Sequence, residues 1–576
     1  ARGIGLTTRS DNELGYYVTL VPDWHNSSTQ RDKPHTARNQ RFVMASVSAI
    51  VAMAILATFL AKCLVFDSLL LSPLRHVPGP KSFALTKWRL AYEDWRGNRT
   101  RTIHRLHQKY GPAVRIGPDE VSFNSLSSLR TIYGPGSRYG RTSFYRMFDV
   151  YGRQNLFTFH STQKHGERKR LLAHAYSKTK ILKFPVSAMI EEKTRQYMFL
   201  IAQEPRLISE TFRTLHYYSL DSITAFIYGK HGSTSALQGS KMDRALLEDI
   251  LNPARRRLSW FAIHLPLLTK WLYTRTHTME RIVAPILPMA KPATYTGIRK
   301  FALEAYEQSR KEANAVGNDS DAKNEDDTPR SIVDRLALQR KLGTMDDLDI
   351  ASECADHFLA GIDTTSDTLM YLIWALSRKE NRVFQKKLRN EVLDLSPDSL
   401  NEHGLPNAEA SDKCQYLNAI IKETLRLYAP LPASEPRSLD SESDIDGYKI
   451  PAHVTVSMSP YSLHRNPEVF EEPLRFNPDR WIGPKAAEMN RWFWAFSSGG
   501  RMCIGLHLAM AEMTTLVAAI YRTYTTSVSP EFNDFSPGIT SRFELFFDDQ
   551  FTKVMEHNCP IKFSTATDAP LESEAS

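Results

Sequence analysis

The residues best suited to chemistry in this 576-residue chain lie in Phe496-Ser497-Ser498-Gly499-Gly500-Arg501-Met502-Cys503-Ile504-Gly505, where one cysteine follows an arginine in a glycine-rich loop. A cysteine by itself is usually a small apolar filler with a weak S–H donor. As a thiolate it is a metal ligand, and its neighbours here favour that form. Gly499 and Gly500 let the backbone turn sharply and approach a flat cofactor closely. Arg501 offers charge-assisted hydrogen bonds to a carboxylate. Gly505 admits the chain to the amphipathic segment Leu506–Tyr521, whose N-terminal partial positive charge would point at the sulfur. The other cysteines, Cys63, Cys354, Cys414 and Cys559, are scattered, without a Cys-x-x-Cys pair or a neighbouring His cluster, so a structural zinc site is not expected.

A second group lies upstream. Met345–Arg378 reads as one long helix with Thr344 placed to cap it, on the order of 50 Å long at its usual rise. Its middle, Ala360-Gly361-Ile362-Asp363-Thr364-Thr365, is a poor helix-forming stretch. Gly361 would let the helix open locally, and Thr364 would bend it by bonding back to a carbonyl or an inserted water. In a third segment Glu423 and Arg426 fall three apart and share a helix face. Such a pair is ordinarily a solvated surface contact of little worth, but here the other faces are apolar and Phe476-Asn477-Pro478-Asp479-Arg480-Trp481 follows.

Together these segments resemble the cytochrome P450 family. The cysteine loop matches F-x-x-G-x-R-x-C-x-G, with Phe496, Gly499, Arg501, Cys503 and Gly505 at the fixed positions, and the long helix matches A/G-G-x-D/E-T-T throughout. The resemblance implies a mainly α fold with small β-sheets, and haem b bound through a Cys503 thiolate, an axial ligand that favours O–O cleavage. It implies that Thr364 hydrogen-bonds the activated oxygen and that Asp363 relays protons. Glu423, Arg426 and Arg480 would form a buried ionic triad on the cysteine side of the haem. Arg437 would face a haem propionate. Where the family usually has Trp and, four residues on, Arg, this chain has His165 and Lys169, both able to donate to a carboxylate. Phe144, Phe148, Phe157, Phe358, Ala360, Ala433 and Ile539 fall at substrate-pocket positions, and their apolar character suits a lipophilic small molecule.

The elements positioning these residues are preceded by Phe42–Ala61, apolar apart from Ser and Thr and long enough to span a bilayer. Residues 1–41 are then a tail, 62–80 a linker with the proline-rich hinge Pro73–Pro80, 81–564 the catalytic domain and 565–576 a disordered tail. Glu312–Arg330 reads as a disordered surface loop. Flanking charges do not orient the span. The resemblance places it in the endoplasmic reticulum membrane as a single pass, with a lumenal tail in which Asn26 is a glycosylation acceptor, and a cytosolic catalytic domain. The net charge of +9 comes without a basic stripe interleaved with aromatics, so nucleic acid is not an expected partner. The resemblance implies instead electrons from NADPH through a separate cytochrome P450 reductase, docking near Lys413, Lys422, Lys485 and Arg491, and a monomer.

The function so implied is insertion of one oxygen atom from O2 into a lipophilic small molecule, by hydroxylation or epoxidation, in fungal secondary-metabolite biosynthesis. The alternatives are a haem-thiolate isomerase or dehydratase needing no oxygen, oxidation of xenobiotics or fatty acids, and a non-catalytic haem-binding protein.

Overall fold

The computed structural model describes residues 35–248, 259–274, 277–283, 285, 293–315, 331–542 and 544–565. Most of the expected tail, Asn26 included, most of the loop before the long helix and nearly all of the C-terminal tail lie outside them, while residues 35–41, expected in that tail, are helical. The chain divides into two compact units, residues 1–63 and 64–576.

Helix α1 (His35–Ala61) runs on without interruption into a π-helical stretch, Lys62–Leu70. Its apolar span is Ser46–Leu70, with mean hydropathy 2.4 and no part of that window buried. The span thus extends beyond the expected end at Ala61, because Leu64–Leu70 is apolar but for Asp67 and Ser68 and keeps the helix going past Lys62. Met44, Ile50, Ile55 and Phe59 are all more than half exposed, unlike a core helix of a soluble domain.

The second unit is mainly helical around one large apolar core. At its centre α6 (Asp347–Ser377) packs against α4 (Thr211–Tyr228), and nearly every side chain of α4 is buried. Both have anionic N-caps: Glu210 accepts from the backbone N–H groups of Phe212 and Arg213, and Asp346 forms a reciprocal capping box with Asp349. Asp346, two residues past the expected Thr344, therefore sets the start of α6. Thr344 bonds back to Gln339 instead.

The helix does not open at Gly361. It stays continuous, and a Cβ there would lie 2.5 Å from Cγ1 of Ile223 on α4. The glycine lets two core helices approach closely; it does not make a gap. Thr364 behaves as expected, with its Oγ1 donating to the Ala360 carbonyl at 2.8 Å.

Five short strands form a mixed sheet beside the helices: β1 (Ala113–Arg115), β2 (Glu120–Phe123), β3 (Gly140–Arg141), β4 (Arg437–Ser438) and β5 (Thr455–Ser457), in the order β1-β2-β5-β4-β3. Its register matters for the site, because the antiparallel β3–β4 pair sets Arg141 directly opposite Arg437.

Candidate active site

Cys503 sits between the one-turn 3-10 helix Gly499–Arg501 and α8 (Leu506–Thr523). Its backbone N–H donates to the Phe496 carbonyl at 2.9 Å, closing the loop. The loop is fixed to four other parts of the chain. Ser498 donates to the Tyr133 carbonyl, Ser497 to Glu435, Arg501 to the carbonyls of Phe159 and His160 at 2.9 Å each, and Lys169 to those of Gly500 and Met502 at 3.0 and 2.7 Å. Gly499 has φ +61°, and a Cβ there would lie 2.5 Å from the carbonyl oxygens of both Tyr133 and Gly134. It is needed for close packing on the end of α2 (Leu126–Tyr133). A Cβ at Gly505 would stand 3.8 Å from the Cys503 sulfur, so this glycine keeps the space beside the thiol clear.

Cys503 is free, with solvent-accessible surface. Burial of the sulfur by surrounding protein raises the thiol pKa, against the opposing pull of the Gly505 and Leu506 backbone N–H groups and the Lys169 ammonium. Those N–H groups belong to the start of α8, so the helix N-terminus does reach the sulfur.

Above the loop is a concentration of positive charge. Arg141 and Arg437 are 6% and 2% exposed and directly opposed across β3–β4. Nε and Nη1 of both, and Nε of Arg501, are buried without a hydrogen-bond partner. Glu435 is a loose partner, 3.7 Å from Arg437. Burial, with Arg437 among the opposing charges, depresses Arg141 to about 10; burial, with Arg141 and Arg437 close by, depresses Arg501 to about 9. Like charges opposed on neighbouring strands destabilise a sheet. Unpaired buried donors add a desolvation cost. A group carrying two carboxylates and lying against the thiol would relieve both, and haem with its propionates is such a group. The residues present therefore fit it.

His165, 5% exposed, faces the same cluster; burial and then Arg501, Arg141, Lys169 and Arg437 depress it to about 3, so it is a neutral donor. The Lys169 ammonium donates to two carbonyls of the cysteine loop and fastens that loop. Arg141 was not singled out in the sequence. It lies in no motif, and only the pairing of strands nearly 300 residues apart reveals it.

Beyond its exposed first turn, α6 keeps accessible surface at Asp356, Leu359, Ala360, Gly361, Asp363 and Thr364, and all of these but Gly361 fall at i, i+3, i+4, i+7 and i+8 on one stripe. Near its upstream end the rings of Phe144, Tyr145, Phe148 and Phe157 form a chain of edge contacts, with Arg141 above Phe157 at 4.3 Å. Ala360 and Phe148 thus stay accessible. Ala433 is 6% exposed. Phe358 is not on this stripe: two residues from Ala360 it points the opposite way, fully buried against Phe301 and Tyr228. Ile539 is 2% exposed in the main core, paired in register with Phe546.

The triad is assembled as expected. Glu423, on α7 (Gln415–Leu427), pairs with Arg426 at 2.8 Å and with Arg480 at 3.1 Å, all three buried. It also accepts from the Asn477 backbone and the Trp481 indole, each at 2.9 Å. Arg426 extends the network to the carbonyls of His464, Pro473 and Arg475.

A helical domain with a thiol at a helix N-terminus, cationic donors for two carboxylates and an acid–alcohol pair on a central helix is the architecture of a haem-thiolate oxygenase. A sequence profile of the family "Cytochrome P450" matches residues 77–540, and the chain belongs to the cytochrome P450 family. Similar proteins include cytochrome P450 monooxygenase tazI of Aspergillus terreus, 29% identical over 525 residues, covering 89% of this chain and 96% of that protein. Others are cytochrome P450 monooxygenase stcB of Emericella nidulans, 29% identical over 459 residues (78% and 82%), and FGM1 of Gibberella zeae, 26% identical over 499 residues (83% and 92%). The protein is an enzyme of the monooxygenase class.

Proposed function

We propose that this enzyme inserts one oxygen atom into a lipophilic small molecule of fungal secondary metabolism, with a haem that Cys503 would ligate and whose propionates Arg141, Arg437, Arg501 and His165 would hold. The observation that carries the reading is the free Cys503 thiol at the start of α8 beneath three arginines with unpartnered buried N–H groups. When bound, the haem supplies the oxygen chemistry. The chain supplies the rest. Thr364 presents a hydroxyl anchored to Ala360, Asp363 beside it passes a proton, and Leu359, Ala360 and the aromatic rings exclude water and orient substrate.

The presence of both Asp363 and Thr364 supports oxygen activation over isomerisation, which needs no proton relay. The accessible apolar surface of Leu359, Ala360 and the aromatic rings supports a lipophilic substrate, and the similar proteins named above are fungal monooxygenases. The exposed apolar helix supports a membrane anchor, and we place the protein in the endoplasmic reticulum with electrons from NADPH through a separate reductase. Of the cations suggested for docking, Lys413 and Arg491 pair with Glu409 and Glu488 on their own helices, and Lys422 donates to Asn490. The test is turnover of candidate lipophilic compounds with reductase and NADPH under 18O2. One labelled atom in the product and NADPH dependence are expected; unlabelled product formed without NADPH contradicts the reading.

A further inference from the structure

His216 lies in the middle of α4, 1% exposed. Its Nδ1 is 2.7 Å from the carbonyl oxygen of Phe212, a contact that requires a proton on Nδ1. Its other ring nitrogen, Nε2, turns toward α6 and stands 3.6 Å from Asp363 Oδ1 and 4.0 Å from Asp367 Oδ1. With both acids ionised and the imidazole neutral, the Nε2 lone pair would face two carboxylates in a buried site. The cluster therefore holds one more proton, on Nε2 or on a carboxyl.

The same geometry ties that proton to the accessible stripe of α6. Asp363 and Asp367 are four residues apart on one face of α6. The Asp363 side chain is 26% exposed and belongs to the accessible stripe next to Thr364, whereas Asp367 is 6% exposed. Asp363 thus has one oxygen turned to His216 and accessible surface on the stripe that it shares with Thr364. On its own helix His216 touches the ring of Phe212, centroids 4.4 Å apart, and His557 stacks on the far side of that ring at 4.8 Å. Among the described residues, the charged groups that bear on the imidazole are Asp363 and Asp367 of α6. Burial lowers the proton affinity of the imidazole, and Asp363 and Asp367 more than offset that, leaving it above its ordinary value.

We propose that His216, Asp363 and Asp367 keep one proton in reserve behind the accessible stripe of α6, and that His216 passes this proton to Asp363, from which it leaves toward Thr364. In that transfer the Nε2–H bond breaks as an O–H bond forms on Asp363. The imidazole becomes neutral, and a solvent proton restores it between turnovers. His216 acts through Asp363 and is a positioning and proton-supplying residue. This inference rests on the role given above to Asp363.

Two measurements on the full-length haem-loaded protein test it. Histidine C2–H exchange read by mass spectrometry reports the protonation of His216 in the resting enzyme, independently of turnover. The fraction of NADPH electrons recovered in product, followed against pH, reports proton delivery. His216 is expected to titrate above an ordinary imidazole. Asp367→Asn, which removes one of its two carboxylates and keeps the shape, is expected to lower that midpoint by about one pH unit. The alkaline limb of the coupling profile should move down with it, and His216→Gln should lose coupling across the neutral range. An ordinary or depressed His216 midpoint overturns the proposal, as does an alkaline limb that neither variant moves. If Asp363→Asn leaves coupling intact, the role of Asp363 itself fails; if Asp363→Asn uncouples while the other two variants behave as wild type, only the reserve fails.

Discussion

Glu423 carries five charge-assisted contacts on the cysteine side: two from Arg426, one each from Arg480 and Trp481, and the backbone N–H of Asn477. Glu423→Ala would leave two buried guanidinium groups without their carboxylate, at a cost of about 3–5 kcal/mol. Loss of holoprotein and a lower melting temperature are expected; wild-type stability would contradict the network's importance. This triad, the cysteine loop and the Asp363–Thr364 pair were legible in the sequence because each is carried by short, fixed spacing. Arg141 was not, since its significance comes from pairing with Arg437 across distant strands. Phe358 was misplaced because proximity in sequence to Ala360 ignores the roughly 200° that two residues turn around a helix. The contacts of Lys169 with the Gly500 and Met502 carbonyls were not legible either, since they depend on how the loop folds over its helix.

Elements bring these residues together through packing that leaves little slack. Gly361 is a point of close approach between α4 and α6, with Cγ1 and Cδ1 of Ile223 at 2.5 and 2.6 Å from the position a Cβ would take. Gly361→Ala must push the helices apart or force Ile223 out of its rotamer, at about 1–3 kcal/mol, despite alanine's better helix propensity. The double variant Gly361→Ala with Ile223→Val should recover part of that loss in chemical denaturation. A stabilised single variant would mean that the glycine serves the local opening read from sequence and not the helix contact. The long helix itself was legible from its apolar content. Its start was not, since Thr344 and Asp346 are both acceptable caps and only the reciprocal bond with Asp349 decides between them. The continuation of α1 through Lys62–Leu70 was hidden by a lysine and an aspartate that read as the end of a span.

At the scale of the whole molecule, stability should depend on pH through buried imidazoles. His107 and His464 are held to about 4 and about 3, chiefly by burial, and both nitrogens of each are engaged by the protein. In the unfolded chain they protonate near pH 6.5, so below that pH the unfolded state binds more protons and folding weakens as pH falls. Each contributes a slope of up to about 1.4 kcal/mol per pH unit in that window. His216 works in the opposite sense, adding stability at low pH that is lost as pH rises. A melting temperature that falls between pH 6.5 and 4 is expected, and a flat one would contradict the burial of these rings. The central claim, that this fold exists to hold a haem on Cys503, is tested most directly by the difference spectrum of the dithionite-reduced, carbon-monoxide-bound protein in microsomes, compared with Cys503→Ala. A strongly red-shifted Soret band in the wild type and its loss in the variant are predicted; a band typical of histidine ligation in both would show that Cys503 is not the ligand.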